Sequence, residues 1–346
     1  MTLAELEDFI ARLGKERYRA RQLMKWMYQF NVVDFDEMTN LSKEFRKNIK
    51  DLAQIGSLPI EEIQKSVDGT KKALFRLSDG HFIESVLIRE KNHWTLCIST
   101  QVGCPMNCAF CLTGKQGFTR NLLPSEIVGQ LTALRFGTPE GETIKNVVMM
   151  GMGEPLLNYD NILKAIEIMT LDVGLLMSRR RVTVSTCGIV PMIYRLGKDI
   201  CVNLAVSLNA PDNAVRDRLM PVNKTYPLEA LIEACRTYPM PRRRRITFEY
   251  ILIGGVNDSP ADAKKVASLI KGLRCKFNLI RFNEYPGSPF KTPRDEDVAA
   301  FQNILIKQGY TAVIRKSKGR DILAACGQLS GKKGGAHTDK HRLPTG

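Results

Sequence analysis

Three cysteines constrain this chain more than any other feature of its sequence. Cys104, Cys108 and Cys111 have the spacing C-x3-C-x2-C, which supplies three thiolates to a metal site and no neighbouring fourth. Iron–sulfur clusters are normally held by four cysteine thiolates, so a loop with three leaves one iron open to a substrate or cofactor. An open coordination position is typical of catalytic metal sites rather than structural ones. The spacing therefore predicts an enzyme that carries a metal cluster.

A structural zinc site completed by a distant cysteine is the alternative, because C-x2-C pairs are common in zinc proteins. The sequence contains no second C-x2-C pair, and its histidines are scattered or lie close to the C-terminus: His81, His93, His337 and His341. Phe110 directly precedes the last cysteine of the loop. In this the loop resembles that of the radical-SAM superfamily, whose [4Fe–4S] cluster binds S-adenosylmethionine (AdoMet).

The charge balance favours a polyanionic partner. The 346 residues include 51 Lys or Arg and 36 Asp or Glu, a formal net charge of +15, and arginines are concentrated at 179–181 and 242–245. Such an excess is typical of proteins that bind nucleic acid, because each neutralised phosphate releases counterions. A solvated basic surface is the alternative, since charge alone does not distinguish the two.

Cysteine usage and hydropathy predict a cytoplasmic protein. Nine cysteines, an odd number in a chain without a signal peptide, fit a reducing compartment better than a disulfide framework. No apolar run reaches the length of a membrane span, so we expect no membrane association. Residues 331–346 contain many Gly, Lys and His without periodicity, which predicts a disordered tail.

Hydrophobic periodicity indicates two smaller units before the main domain. Residues 1–55 predict a small N-terminal helical domain, in which apolar residues recur at i, i+3, i+4 and i+7: Leu23, Trp26, Met27 and Phe30. Residues 56–94 contain short β-rich runs, with Asp68-Gly69 and Asp79-Gly80 as turn signals. We expect this second segment to be a β-rich linker extension.

The main domain is predicted over residues 95–330, where apolar runs alternate with helical segments. This alternation indicates a parallel sheet, and we count six strands: 95–100, 146–151, 182–186, 202–208, 246–253 and 276–282. Six βα units are fewer than the eight of a closed barrel. The predicted fold class is therefore α/β, a partial (β/α)6 barrel with an open side that could admit a macromolecule. In such barrels the chemistry lies on loops after the carboxyl ends of the strands.

Motifs along almost the whole chain resemble one family. They are Cys104-Pro-Met-Asn-Cys108-Ala-Phe-Cys111, Gln116-Gly-Phe-Thr-Arg-Asn121, Met150-Gly-Met-Gly-Glu-Pro155, Val184-Ser-Thr-Cys-Gly188, Ser207-Leu-Asn209, Gly255-Val-Asn-Asp258, Asn283-Glu-Tyr-Pro-Gly287 and Ala325-Cys-Gly-Gln-Leu329. Together they resemble the RlmN family, bacterial radical-SAM methyltransferases that act on adenine C2 of 23S rRNA and tRNA. The resemblance implies a radical-SAM barrel, a [4Fe–4S] cluster on the three loop cysteines, and two AdoMet molecules per methylation.

The resemblance also implies which residues contact AdoMet. Gly153 and Glu154 would accept hydrogen bonds from its amino group, since a carbonyl oxygen and a carboxylate both suit an ammonium. The remainder of AdoMet would contact a further set of residues at the strand ends: Ser185, Ser207, Leu208, Asn209 and Asn283. For Leu208 we expect a backbone contact, with a core position as the alternative.

Three more residues carry the chemistry that the resemblance implies. Cys326 matches the acceptor cysteine, which is methylated first and then joined to adenine C2 through its methylene group. Cys97 would be the thiol that releases the product, leaving a transient Cys97–Cys326 disulfide for cellular reductants to reopen. Glu84 matches the base that removes the C2 proton.

The environment of Glu84 can be predicted from strand parity. It shares one face of its strand with Phe82, Val86 and Ile88, an apolar face on which a carboxyl group would act as a proton acceptor near neutral pH. The alternative is an exposed glutamate on an edge strand.

A radical route is expected because adenine C2 lies between two ring nitrogens and is too electron-poor to attack the AdoMet methyl group, so the cofactor must carry the hard step. The nearest alternative is the Cfr type, which methylates adenine C8. The segments Gly153-Glu154-Pro155 and Asn283-Glu-Tyr-Pro-Gly287 favour C2. A radical-SAM activase is a weaker alternative, because Cys326, Glu84 and the basic charge would have no role there. A third alternative is a non-catalytic, zinc-containing RNA-binding protein, which the colour and iron content of anaerobically purified protein would distinguish. Expected partners are 23S rRNA, tRNA and a one-electron donor such as flavodoxin. We expect the enzyme itself to be a monomer.

Overall fold

Three short helices fold from the first part of the chain: α1 (Leu3–Arg12), α2 (Tyr18–Tyr28) and α3 (Lys43–Leu52). The Thr2 hydroxyl accepts from the Glu5 N–H while the Glu5 carboxylate accepts from the Thr2 N–H, a reciprocal cap that begins α1. Of the four residues in the predicted apolar stripe of α2, the last one does not lie in the helix. Phe30 lies beyond the end of α2 and is 61% exposed, although its ring contacts Trp26 at 5.1 Å between centroids.

An antiparallel meander leads from these helices to the barrel. It consists of β1 (Ile60–Lys65), β2 (Lys71–Arg76), β3 (Phe82–Arg89) and β4 (Trp94–Cys97), each paired with the one before. The two predicted turns are present, with Asp68-Gly69 between β1 and β2 and Asp79-Gly80 between β2 and β3. Because β2 and β4 flank it on both sides, β3 is an interior strand and Glu84 does not lie on a sheet edge.

The cysteine loop has a small sheet of its own, formed by β5 (Gln101–Gly103) and β6 (Phe118–Asn121). After it, all strands of the main sheet run parallel to β4: β7 (Ile144–Met149), β8 (Val182–Thr186), β9 (Asn203–Ser207), β10 (Ile246–Leu252), β11 (Cys275–Arg281) and β12 (Thr311–Arg315). The main sheet has the order β1-β2-β3-β4-β7-β8-β9-β10-β11-β12. Each of the six predicted parallel strands is present.

Helices cover the outer face of the parallel strands. They are α5 (Pro124–Gly137), α6 (Tyr159–Thr170), α7 (Val190–Asp199), α8 (Asn213–Leu219), α9 (Leu228–Thr237), α10 (Pro260–Leu269) and α11 (Asp295–Lys307). The short α4 (Leu112–Lys115) instead directly follows the last cysteine of the cysteine loop. The apolar core lies between this layer and the sheet; for example, the Tyr250 ring of β10 lies 5.0 Å from the Phe301 ring of α11. The fold is the predicted α/β partial barrel, in which six βα units precede a final strand.

That final strand, β12, was not among the six that the sequence predicts. It is the outermost strand of the sheet, and Thr311 and Val313 are exposed while Ala312 is buried. A half-exposed edge strand lacks the continuous apolar run by which buried parallel strands are recognised. Since β1 and β12 are the two ends of the sheet, the barrel stays open.

This architecture comes from a computed structural model that describes residues 1–331. All but the first residue of the predicted C-terminal tail, including His337 and His341, lies outside the described residues. None of the helices in the described part of the chain has the length and apolar character needed to cross a bilayer.

Candidate active site

Polar side chains converge where the parallel strands end. Ser185 lies one residue before the end of β8 and Ser207 is the last residue of β9. The strand register pairs Ser207 with Glu249 of β10. Because Tyr250 points outward to α11, its neighbour Glu249 points to the opposite face of the sheet, which is the barrel lumen. The lumen therefore presents hydroxyl groups at its carboxyl mouth, where the sequence predicts them, together with the Glu249 carboxyl group, which the sequence did not predict.

The cysteine loop is held closed at its base. The Cys104 N–H donates to the Gly117 carbonyl at 2.8 Å, next to the end of β5. Gly103 has φ +73°, and a Cβ atom there would lie only 2.0 Å from the Gly117 oxygen, so a side chain at this position would force the loop apart. At the other end, Cys111 immediately precedes α4 and its N–H donates to the Cys108 carbonyl at 3.1 Å.

The three thiols of this loop share one poorly solvated region. Burial raises the pKa of Cys104 to about 12 and also raises the pKa of Cys108, where the other two thiols and the Glu154 carboxylate act in the same direction. Burial raises the pKa of Cys111 as well. Thiolates packed together in this way need positive charge from the group they bind, which is what an iron–sulfur cluster offers. The donor set therefore fits the predicted cluster.

A single zinc ion fits less well. Tetrahedral zinc needs four ligands around one ion at about 2.0–2.3 Å. Across residues 1–331, no three side chains of His, Cys, Asp or Glu form a group that could hold one metal ion. This includes the three loop thiols, which do not converge on a single ion, whereas a [4Fe–4S] cluster binds each thiolate at a separate iron.

Gly153 and Glu154 lie in the loop after β7, beside the cysteine loop. Gly153 has φ +102°, and a Cβ atom there would lie 2.6 Å from the Gln101 side chain. The Glu154 carboxylate is 3% exposed and accepts hydrogen bonds from the N–H groups of Cys187 at 2.7 Å and Leu156 at 3.1 Å. Burial raises the pKa of Glu154, and these two hydrogen bonds oppose that change. The remaining lone pairs of the carboxylate could accept from a ligand ammonium group.

The side chains of the other predicted AdoMet contacts differ in their burial and in their hydrogen bonds to the protein. In the described residues, the hydroxyl groups of Ser185 and Ser207 form no hydrogen bond with protein atoms. The Leu208 side chain is fully buried, so only its backbone could reach a ligand. Asn209 is also buried, and its Oδ1 accepts from the Ile251 N–H at 2.8 Å, which joins the ends of β9 and β10. Asn209 therefore has a structural role in addition to any contact with a ligand.

Cys326 lies on a segment that is tied to the cysteine loop. The Leu112 N–H donates to the Gly327 carbonyl at 2.7 Å, and the Thr113 hydroxyl donates to the Leu329 carbonyl at 2.7 Å. We call residues 325–331 the acceptor segment. Because these bonds come from the turn that follows Cys111, the position of the Cys326 thiol depends on the fold of the cysteine loop.

Asn283 connects the acceptor segment to the strand ends. Its Nδ2 donates to the Cys326 carbonyl at 3.3 Å, while its Oδ1 is buried and has no partner among the described residues. A buried amide oxygen without a donor is unfavourable by roughly 1–3 kcal/mol. The oxygen therefore fits a ligand that brings a donor, as the adenosyl end of AdoMet would.

The two catalytic cysteines predicted from the sequence are close enough to influence each other. Burial raises the pKa of Cys97, and the negative charge of a Cys326 thiolate raises it further. Cys326 itself is exposed at the mouth, yet desolvation by the protein around it raises the pKa of its thiol to about 11, with the Glu249 carboxylate as a second cause. All nine cysteines lie in the described residues and are free, so the Cys97–Cys326 disulfide is not formed in this state.

Glu84 lies in a polar environment, contrary to the apolar face that strand parity predicts. It is 1% exposed, which excludes the exposed alternative. The Lys72 ammonium lies 3.0 Å from its Oε1, and its Oε2 accepts from the N–H groups of Ser330 at 2.7 Å and Gly331 at 2.9 Å. Parity did not reveal these partners because Lys72 comes from β2 and the two N–H groups come from the acceptor segment. Glu84 thus anchors the segment that carries Cys326.

Sequence reasoning missed one residue that organises the site, Arg216 of α8. Its side chain is fully buried, and its guanidinium donates to three backbone carbonyls: Cys187 at 2.7 Å, Ser207 at 3.0 Å and Leu208 at 3.1 Å. It therefore fixes the chain where β8 and β9 end. Nothing in the surrounding segment distinguishes Arg216 from the exposed Arg218, so no sequence signal could have identified it.

Comparisons with known proteins agree with this geometry. The family model of the ribosomal RNA large subunit methyltransferase N-terminal domain matches residues 1–55, and that of the radical SAM superfamily matches residues 98–266. A dual-specificity RNA methyltransferase RlmN from Syntrophus aciditrophicus is 63% identical over 332 residues, which cover 96% of this chain and 95% of that protein. The protein of the same name from Geobacter sulfurreducens is 51% identical over 332 residues, covering 96% and 91%.

A solved structure has the same fold. A radical SAM methyltransferase from Sphaerobacter thermophilus superposes on this chain with a TM-score of 0.90 at 45% sequence identity. The alignment covers 96% of this chain and 98% of that one, so helices, meander and barrel are all shared.

Proposed function

The chain belongs to the RlmN family of radical-SAM RNA methyltransferases, and we propose that it methylates C2 of one specific adenosine in 23S rRNA, at the peptidyl transferase centre, and in tRNA. The observation that carries this proposal is the acceptor segment. It places an exposed thiol, Cys326, beside the cysteine loop, the unpartnered oxygen of Asn283 and a second thiol, Cys97. An enzyme that only cleaved AdoMet would not need the two further thiols.

The residues present fit the cofactors. Cys104, Cys108 and Cys111 would hold the [4Fe–4S] cluster, and AdoMet would lie along the carboxyl ends of β7, β8, β9 and β11, in contact with Gly153, Glu154, Ser185, Ser207, Leu208, Asn209 and Asn283. When bound, these groups supply the methyl group and the radical that the reaction requires. The protein supplies orientation and the reactive side chains.

Cys326 is the group that carries the methyl carbon to the RNA. Its sulfur would accept the methyl group from one AdoMet, with S-adenosylhomocysteine as the leaving group. One hydrogen of that methyl group would then pass to the radical that a second AdoMet supplies, and the methylene carbon would bond to adenine C2. The C2 proton would go to Glu84 and the surplus electron to the cluster. Cys97 resolves this adduct, because its sulfur attacks the Cys326 sulfur and the bond between that sulfur and the carbon breaks. The departing carbon keeps the electron pair of the broken bond and takes up a proton, so the product leaves with a methyl group, and a Cys97–Cys326 disulfide remains until a cellular thiol reduces it.

Glu84 accepts the C2 proton in this scheme. Its Oε2 is already bonded to the N–H groups of Ser330 and Gly331. Its Oε1 contacts the Lys72 ammonium at 3.0 Å and has a further lone pair, so either this oxygen receives the proton or Oε2 gives up one of its two N–H partners. In the second case, proton removal would be linked to movement of the segment that carries Cys326.

Crosslinking to RNA tests this assignment. We expect Cys97→Ala to accumulate a covalent protein–RNA adduct that survives denaturation and disappears with nuclease, because nothing resolves the thioether. Cys326→Ala should form neither adduct nor methylated adenine, while AdoMet still binds. Denaturing gels of anaerobic reactions with AdoMet and RNA provide the readout.

Two other cysteines serve as matched controls, Cys201 as an exposed thiol and Cys235 as a buried one. Cys201→Ala and Cys235→Ala should turn over normally without an adduct. Normal turnover by Cys97→Ala, or an adduct formed by Cys326→Ala, would refute the roles of these two thiols. Locating the methyl group in the product RNA separates C2 from the C8 chemistry of the Cfr type.

The cellular setting follows from the same chemistry. The reaction needs one-electron reduction and a thiol reductant, both of which the cytoplasm provides, and we assign the protein to that compartment. A small electron carrier such as flavodoxin and a monomeric enzyme complete the proposal.

A further inference from the structure

The active site makes no use of two arginine runs, Arg179–Arg181 and Arg242–Arg245. Each run ends one residue before a strand begins, the first before β8 and the second before β10. The site residues lie at the opposite, carboxyl ends of these strands. The 7 residues of β10 span about 20 Å of extended chain. A phosphate held by these arginines would thus lie on the far side of the barrel from Cys326.

The two runs belong to one surface. Both β8 and β10 pair in parallel with β9, so the runs are two strand spacings apart, about 10 Å. The surface continues beyond β10, because Arg274 directly precedes β11 and the Arg245 guanidinium donates to the Thr311 hydroxyl of β12 at 2.9 Å. We call this surface the basic rim; it consists of Arg179, Arg180, Arg181, Arg242, Arg243, Arg244, Arg245 and Arg274.

The positive charge of the basic rim is oriented but not neutralised. Arg181 donates to the Asn146 side-chain oxygen at 3.1 Å, and Arg274 donates to the Pro241 carbonyl at 2.8 Å. These acceptors are neutral. Among the described residues, no arginine of the rim forms an ion pair with a carboxylate, whereas Arg195 on an outer helix pairs with Asp160 at 3.0 Å. Clustered like charges without partners repel each other, which a polyanion would relieve.

We propose that the basic rim is a second RNA-binding surface, which holds backbone phosphates of the substrate at a distance from the target adenosine. Guanidinium groups suit this role because their planar fork can bind a phosphate through two hydrogen bonds. The surface can contribute only when the RNA is large enough to reach both mouths of the barrel. The inference rests on the RNA-methylating function proposed above, and it adds where a folded substrate is held.

Two RNAs of different size test the rim. One is a short hairpin that presents the target adenosine, and the other is a domain-sized 23S rRNA fragment that contains the same hairpin. The rim variant combines Arg179→Gln, Arg181→Gln, Arg243→Gln and Arg245→Gln. A control variant removes the same charge from exposed positions on the outer helices: Arg195→Gln, Lys264→Gln, Lys265→Gln and Lys307→Gln.

Affinity is measured with the cluster-loaded protein under anaerobic conditions across a salt titration. For the rim variant and the large fragment, we expect affinity to fall by about tenfold or more and the slope of log K against log salt to shrink by about 0.7–0.9 for each phosphate that the variant no longer binds. Binding and single-turnover methylation of the hairpin should stay unchanged in the rim variant. The control variant should bind both RNAs like the unmodified protein.

Three outcomes would overturn the inference. If the rim variant lost equal affinity for the hairpin and the large fragment, the arginines would act only through the total charge of the protein. An equal loss of affinity in the control variant would lead to the same conclusion. Unchanged binding of the large fragment would mean that the rim is a solvated surface. Failure of the unmodified protein to methylate the hairpin would refute the proposed function instead, because the affinity comparison does not depend on turnover.

Discussion

Replacing Arg216 with Met should destabilise the protein and weaken AdoMet binding together. Arg216→Met removes the donor from the buried carbonyls of Cys187 and Leu208 and from the partly buried carbonyl of Ser207. It also removes the donor from the buried side-chain oxygen of Asn223. Each carbonyl left unsatisfied costs roughly 1–3 kcal/mol, and removing a buried charge returns part of this, so we expect a net loss of about 3–5 kcal/mol. A chain of this length has an unfolding entropy of about 0.7 kcal/mol/K, so the midpoint temperature should fall by about 4–7 °C.

Thermal unfolding and AdoMet titration of the anaerobic protein measure the two effects. Arg218 is the matched control, because it lies in the same helix and is exposed. Arg218→Met should change the midpoint by less than about 1 °C, in line with surface substitutions. The reasoning is refuted if Arg216→Met and Arg218→Met behave alike, or if Arg216→Met is destabilised while AdoMet affinity stays unchanged.

Three further predictions concern the site. Lys72→Met and Glu84→Gln should each lower the free energy of unfolding by about 3 kcal/mol, because each leaves a buried charge unpaired. The double variant should lose about 2 kcal/mol less than the sum of the two single losses. Additive losses would contradict the pairing of Lys72 with Glu84. Glu249→Gln should stabilise the protein at pH 7 but not at pH 4. Burial raises the pKa of Glu249, so the native protein loses stability as pH rises from the ordinary pKa of a carboxyl group through this raised pKa, and glutamine does not carry that cost. Thermal unfolding scans at both pH values test this. Gly153→Ala should weaken AdoMet binding at least tenfold, because a Cβ atom would lie 2.6 Å from the Gln101 side chain. Equilibrium dialysis measures this affinity, and an unchanged value would mean that Gly153 is not part of the AdoMet-binding site.

The sequence predicts local elements of this fold well and its edges poorly. The six interior parallel strands were predictable because buried strands appear as continuous apolar runs. The edge strand β12 was not, since Thr311 and Val313 face solvent. The helical repeat around Leu23 could not show that the helix ends before Phe30, because periodicity does not mark a boundary that lacks a capping signal.

The candidate site shows a similar division. Residues within motifs, such as Cys326 and Asn283, could be matched one by one. The partners of Glu84 could not, because Lys72 and the N–H groups of Ser330 and Gly331 reach it from other elements of the fold. Strand parity describes one strand and gives no information about what packs on it. The role of the buried Arg216 could not be predicted for the same reason, because its partners lie on other elements of the fold.

The contacts of the acceptor segment explain how one short segment can serve two stages of a reaction. Its Gly327 and Leu329 carbonyls accept bonds from the turn after the cysteine loop, while the N–H groups of Ser330 and Gly331 bind the Glu84 carboxylate. In the proposed mechanism, the first set would keep the Cys326 thiol at the site during methyl transfer. The second set would hold the end of the segment on the Glu84 carboxylate. Because these two N–H bonds depend on the negative charge of Glu84, transfer of the C2 proton to this carboxylate would weaken them, and the end of the segment would then be free to move.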